Sequence, residues 1–160
     1  MTLDRVFVGL GANLGDAGAT LQQALLQLAA LPGTRRLATS SLYRSAPVDA
    51  AGPDFINAVA ELSTTLEPLP LLRALQAIEQ QHGRQRLYRN APRTLDLDLL
   101  LYGQRVVDVA DLTVPHPRLQ RRAFVLLPLL ELAPDLLHPD LGPLHAQLAS
   151  VQDQVIERLP

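Results

Sequence analysis

Thr94-Leu95-Asp96-Leu97-Asp98-Leu99-Leu100-Leu101-Tyr102 is an apolar run with two carboxylates set two positions apart. As a strand it sends Asp96 and Asp98 to one face and Leu95, Leu97 and Leu99 to the other, because strand side chains alternate. Its place in the chain decides the fold, because it is the fourth strand of a series. Upstream, Arg5-Val6-Phe7-Val8-Gly9-Leu10 is β-branched and apolar and runs into a glycine-rich turn. Leu21, Ala24, Leu25, Leu28 and Leu31 then recur at helical spacing, with Asp16 placed to cap the start and Pro32-Gly33 to end the run.

Residues 35–43 alternate Leu37, Thr39, Ser41 and Tyr43 against Arg36, Ala38 and Leu42, which predicts a second strand. Residues 54–64 predict a third, with Phe55, Asn57 and Val59 on one face and Ile56, Ala58, Ala60 and Leu62 on the other. Pro68 or Pro70 suits the first turn of a helix whose buried stripe is Leu71, Leu72, Leu75 and Ile78, ending near Gly83. Gln76 and Glu79 share another of its faces. The order β-α-β-β-α-β over residues 5–102 is that of a ferredoxin-like α+β sandwich, expected to carry its helices against one face of the sheet. Gly103-Gln104 predicts a hairpin turn into residues 105–107, and residues 121–132 a helix despite Pro128, so a C-terminal hairpin and helix extend the sandwich. No repeat or low-complexity linker interrupts residues 1–160, which are expected to form a single domain.

The chain has 160 residues, 48% of them hydrophobic, with 14 basic against 16 acidic side chains. That length buries roughly 70% of the unfolded surface, enough for a core without staples. Cysteine is absent, which excludes disulfides, iron–sulfur clusters and thiolate zinc sites and points to the cytoplasm. The first residues lack a leader pattern, and the apolar stretch 123–130 falls well short of the roughly 20 residues of a membrane span. All 14 basic residues are Arg. Without lysine there is no pyridoxal Schiff base, no Walker A lysine and no protein-kinase strand lysine. The net charge of −2 argues against a general nucleic-acid binder and leaves small molecules as partners.

Two bare carboxylates about 6.6 Å apart on a strand repel by roughly 2.5 kcal/mol at an effective dielectric of ~20. Bound magnesium turns that repulsion into attraction and leaves positions for water and substrate phosphates. The alternative, an exposed strand face whose aspartates supply solubility, stays open on spacing alone. Arg84, Arg86, Arg89 and Arg93 fall within ten residues just upstream, a pattern suited to bidentate phosphate contacts or to a solvated basic loop. A magnesium-chelated nucleotide satisfies both features at once. Residues 45–53, with two prolines and a glycine, are expected to be a surface loop able to close over a ligand.

Gly9-Leu10-Gly11-Ala12-Asn13-Leu14-Gly15 is a poor dinucleotide fingerprint, since its third glycine comes one position late and the chain has no room for a doubly wound sheet. A tight strand-to-helix turn suits it better. Phe55 and Asn57 on one strand face suit a heteroaromatic ring stacked and read along its edge, with Phe124 as the opposite slice, although each is also acceptable as ordinary core. His116 between Pro115 and Pro117 is placed to meet a phosphate, while His82, His138 and His145 are expected at the surface.

Asp54-Phe55-Ile56-Asn57-Ala58, Pro92-Arg93-Thr94-Leu95-Asp96-Leu97-Asp98, Leu112-Thr113-Val114-Pro115-His116-Pro117 and Arg122-Ala123-Phe124, in this order, strongly resemble the 6-hydroxymethyl-7,8-dihydropterin pyrophosphokinase family of folate biosynthesis. The likeness runs from Val6 to about residue 139 and includes Gly11-Ala12-Asn13-Leu14-Gly15-Asp16. It implies transfer of the terminal diphosphate of ATP to the pterin hydroxymethyl oxygen, with release of AMP. By this resemblance Asp96 and Asp98 hold two Mg2+ ions, and Arg84 and Arg93 stabilise the charge of the moving phosphoryl group. Phe55 and Phe124 sandwich the pterin, Asn57 reads its edge, and Ser45, Ala46 and Val48 offer backbone contacts. Gln76, Glu79, Arg84, Arg86, Arg93, Leu99, Thr113, His116 and Arg122 line the ATP site. The protein is expected to be an enzyme that works as a monomer. Asn90-Ala91 and Asp111 depart from the family pattern at the lid and the ATP site. The rivals are a noncatalytic nucleotide sensor of the same fold and a plain kinase releasing ADP.

Overall fold

A computed structural model of the chain describes residues 4–47, 52–83 and 95–160. Val48, Arg84, Arg86, Arg89, Asn90, Ala91 and Arg93 lie outside the described residues. Strand β1 (Val6–Ala12) lies between β4 (Phe55–Thr64) and β5 (Asp96–Tyr102), antiparallel to both. On the far edge of β4 two short strands follow one another, β2 (Thr34–Thr39) against its C-terminal half and β3 (Tyr43–Ser45) against its N-terminal half. With helices α1 (Ala17–Ala29) and α2 (Pro68–Gln81) as the two crossovers, this is the expected ferredoxin-like α+β sandwich. Asp16 caps α1 by accepting from the Ala19 N–H at 3.1 Å.

The predicted second strand is therefore two strands. A register shift between Arg36 and Ala38 leaves Leu37 without a partner and exposed, which breaks the alternation read from the sequence. The expected hairpin after Gly103-Gln104 is also displaced. The turn residue Gly103, with φ of +58°, reverses the chain, but the hairpin itself forms later, between β6 (Val107–Val109) and β7 (Leu112–Val114).

Both faces of the sheet are covered. Val6, Val8, Leu10, Ala58, Ala60, Leu62, Leu95, Leu97 and Leu99 pack with Leu21, Leu25, Leu28, Leu71, Leu75 and Ile78 of the two crossover helices. The opposite face carries Phe7, Val59, Leu100 and Leu101 beneath α3 (Ala123–Leu132) and a 3-10 helix at Leu144–Val151. The expectation of helices on one face alone is thus corrected. A sheet so apolar on both faces needs a second cover, and the hydrophobic C-terminal third supplies it.

A bulge governs how β5 serves both layers. The register shifts between Phe7 and Val8, so Leu99 and Leu101 face successive β1 residues and Leu100 is the extra residue. Before it leucines face α1 and α2; at Leu100 and Leu101 they face α3.

The chain continues through β8 (Leu137–His138), β9 (Gly142–Pro143) and β10 (Ile156–Arg158), the last pairing with β3. His138 is buried, against the surface placement expected for it, because its Nδ1 accepts the Asp140 and Leu141 N–H groups that close the β8–β9 turn. Glu131 of α3 fastens these layers. Its carboxylate accepts the Tyr43 hydroxyl at 2.6 Å and the Ser41 N–H and hydroxyl at about 3 Å, with Arg158 of β10 3.6 Å away. Burial, then the bond to Glu131 and its negative charge, push the Tyr43 phenol from 10.0 to about 12. The folded phenol stays protonated where that of the unfolded chain ionises, so stability is lost as pH rises from 10.0 to about 12. Thermal unfolding across that window is expected to show a shallower alkaline decline in Tyr43→Phe than in the parent.

Candidate active site

The second face turns polar at the end where β4 and β5 begin. Register there aligns Asn57, Gly11 and Asp96 across β4, β1 and β5, and one row on aligns Val59, Gly9 and Asp98. Residues opposite one another in an antiparallel sheet project to the same face, so Phe55, Asn57, Asp96 and Asp98 share one surface. Between the amide and the carboxylates the sheet carries only the two glycines. Leu95, Leu97 and Leu99 are buried on the reverse side, as the alternation predicts.

The Asp98 side chain is 45% exposed, and Asp96 is half-buried. Across from Asp98, the His116 Nε2 lies 4.0 Å from its Oδ1. The backbone fixes this histidine, whose N–H donates to the Leu100 carbonyl at 2.9 Å and whose Nδ1 accepts the Arg118 N–H at 3.2 Å. Nδ1 being an acceptor, the ring proton sits on Nε2, facing the carboxylate. Burial lowers the His116 pKa below its usual 6.5, opposed by the Asp98 charge and reinforced by Arg122 and Arg118, so the ring is neutral at pH 7. Arg122 also stacks over Phe124, its guanidinium carbon 5.4 Å from the ring centroid. Phe124 stands in the first turn of α3, half-buried against the apolar layer. Two carboxylates on one partly open face are a hard-oxygen donor set, and magnesium commonly takes one or two protein carboxylates, so these residues fit that ion.

Asn57 is held from the other side. Its Nδ2 donates to the Ser45 hydroxyl at 2.7 Å, and both side chains are buried. Ser45, expected to act through its backbone, thus also orients the amide. Ala46 follows it, exposed at the start of the loop. Asn13 donates to the Pro53 carbonyl at 3.2 Å and ties the far end of that loop to the turn after β1. This gives the glycine-rich motif a structural task that its glycine spacing alone did not reveal.

The proposed ATP residues fall into two groups. Glu79 of α2 is buried and accepts the Leu97 N–H of β5 at 2.9 Å, capping the strand edge that β1 does not use. Gln76, one turn earlier, accepts from Arg73 at 3.0 Å, and Arg73 pairs with Asp111 at 2.6 Å. Asp111, a departure at sequence level, is therefore matched by a cation that the sequence reading missed. The signal was the i, i+3 spacing of Arg73 and Gln76 on one helix face. Leu99 sits in the core, so its side chain does not join the polar end of the sheet. Thr113 and His116 instead share a cleft of about 340 Å³ with Val107, Pro115, His138 and Leu141.

Comparison with known proteins gives a consistent picture. A family model described as 7,8-dihydro-6-hydroxymethylpterin-pyrophosphokinase (HPPK) matches residues 7–134. The 2-amino-4-hydroxy-6-hydroxymethyldihydropteridine pyrophosphokinase of Pseudomonas aeruginosa is 51% identical over 159 residues, covering 99% of this chain and 98% of that protein. The protein of the same name from a Synechocystis species is 47% identical over 146 residues, covering 91% of this chain and 75% of its own length. Among solved structures, wild-type Plasmodium falciparum HPPK-DHPS with pterin and p-hydroxybenzoate superposes with a TM-score of 0.74 at 13% identity, over 98% of this chain and 46% of that one. At that identity the likeness concerns the fold, and this chain spans less than half of the longer one.

Proposed function

The chain belongs to the 7,8-dihydro-6-hydroxymethylpterin-pyrophosphokinase family, and from that membership we infer that the polar end of the sheet's second face is its active site. It is an ATP-dependent transferase that moves pyrophosphate from ATP to the hydroxymethyl group of 6-hydroxymethyl-7,8-dihydropterin, giving the pterin diphosphate and AMP in tetrahydrofolate biosynthesis. The observation that carries the site assignment is the row Asn57–Gly11–Asp96, which sets a ring-reading amide and a carboxylate on either side of one strand glycine.

In this reading Phe55 and Phe124 stack the pterin and Asn57 reads its edge, with Ser45, Ala46 and Val48 offering backbone contacts. Asp96 and Asp98 would hold two Mg2+ ions, which would supply neutralisation of the phosphate charge. Asp96, in the same row as Asn57, orients the hydroxymethyl group. The hydroxymethyl oxygen forms its bond to the β-phosphorus and gives up its proton to water, while the bond from that phosphorus to the α-bridging oxygen breaks and AMP departs with the electron pair. Arg84 and Arg93 stabilise the charge carried by the moving group, a matter of positioning and electrostatics. Gln76, Glu79, Arg86, Thr113, His116 and Arg122 complete the ATP site, and Leu99 contributes through its backbone.

We further propose that residues 1–160 act as one pyrophosphokinase domain, a cytoplasmic monomer whose partners are its small-molecule substrates rather than nucleic acid or membrane. Among the described residues no helix is long and apolar enough to cross a membrane. Phosphorus NMR of the protein with magnesium ATP and the dihydropterin tests the function. AMP and a pterin diphosphate are expected to appear together; ADP would mean an ordinary kinase, and bound ATP without turnover a nucleotide sensor.

A further inference from the structure

We propose that Gly11 is a specificity-determining residue: the missing side chain leaves the Asn57 amide and the Phe55 ring in the positions from which they hold the pterin ring and its hydroxymethyl arm. The proposal rests on the dihydropterin site assigned above. Glycine inside a strand is costly relative to alanine, so its presence requires a reason. Backbone geometry does not supply one. The glycines with positive φ are Gly15, Gly33, Gly52, Gly83, Gly103 and Gly142, and Gly11 is not among them. It lies in regular antiparallel register with Asn57 on one side and Asp96 on the other.

Space does supply a reason. A Cβ at Gly11 would stand 3.1 Å from the Asn57 Oδ1 and 3.8 Å from the Phe55 Cδ1. These are the two side chains assigned to read and stack the ring. The first contact is too close to accept unless the amide moves, and the amide is not free to move: Asn57 is buried, with its Nδ2 on the Ser45 hydroxyl at 2.7 Å. At Gly9, one row along, a Cβ would instead meet the Leu100 side chain at 3.4 Å, an apolar contact at the edge of the ordinary range. The constraint is thus local to the row that joins amide to carboxylate. A flat heteroaromatic ring can approach this backbone closely, and any side chain at residue 11 lifts the ring or turns the amide.

The test is Gly11→Ala, titrated with the dihydropterin in the presence of magnesium and a nonhydrolysable ATP analogue. Dihydropterin affinity is expected to fall roughly tenfold to a hundredfold, the scale of overpacking a rigid site. Affinity for the ATP analogue should hold, and Tm should change by no more than a few degrees, because the strain against Asn57 is offset by alanine suiting a strand better than glycine. Asn57→Ala is measured beside it. If Asn57→Ala loses the dihydropterin and Gly11→Ala binds it like the parent, the role given to Gly11 is wrong while the site stands. If neither variant changes dihydropterin binding, the site is elsewhere and the proposal fails with it. A Gly11→Ala protein with lowered Tm and weakened binding of both ligands would mark Gly11 as structural and overturn the proposal as well.

Discussion

Asp98→Asn is expected to lower kcat by about three orders of magnitude, the scale seen when a group that stabilises transition-state charge is removed from a closed site. The substitution keeps the shape of the side chain and deletes one charge from a face where Asp96 stands two residues away. In magnesium-free buffer the stability of the fold should change little, because relief of the repulsion from Asp96 is offset by the lost attraction to the His116 Nε2–H. The gain in Tm on adding magnesium ATP should shrink, since ligand binding stabilises the folded state in proportion to its affinity. Differential scanning calorimetry with and without magnesium ATP, beside initial rates of AMP release, separates these effects. A variant that turns over within tenfold of the parent, about 1.4 kcal/mol, would remove Asp98 from the chemistry.

Glu79 should give the largest separation between two substitutions at one position. Its Oε2 accepts the Leu97 N–H on the outer edge of β5, in a position almost closed to solvent. Glu79→Gln retains an acceptor there and should fold with a modest loss. Glu79→Ala strands a buried N–H at a cost of about 1–3 kcal/mol and leaves a cavity in addition, lowering Tm by roughly 5–10 °C for a chain of this size. Because Leu97 separates Asp96 from Asp98, the same change should raise the KM for magnesium ATP. Thermal melts of both variants, with ATP saturation curves, check it; equal Tm losses in the two would deny Glu79 its role in holding the strand.

Much of this molecule is legible in its sequence. Alternation placed Phe55 and Asn57 on one face and the leucines of β5 opposite its aspartates, because one side of each strand had to be apolar and the pattern was uninterrupted. What escaped were features set by partners distant in sequence. The exposure of Leu37 depends on a bulge against β4, and the burial of His138 on two N–H groups from the next turn. The Ser45–Asn57 bond links residues twelve apart through β3–β4 register, which no local period encodes. The second cover of the sheet was missed for a similar reason. α3 is hydrophobic nearly all round, so its sequence gives a helix but not the surface it must bury against.

The bulge at Leu100 gives β5 two reading frames. Upstream, a one-residue deletion would exchange the leucines and aspartates, turning carboxylates into the core; downstream, the chain serves the layer under α3 in a phase of its own. The site's frame and the far core's frame are thus decoupled within a single strand. Substitutions that repack the α3 layer can accumulate without turning Asp96 and Asp98 away from Gly11 and Gly9, so this end of the sheet can hold its geometry while the rest of the domain drifts.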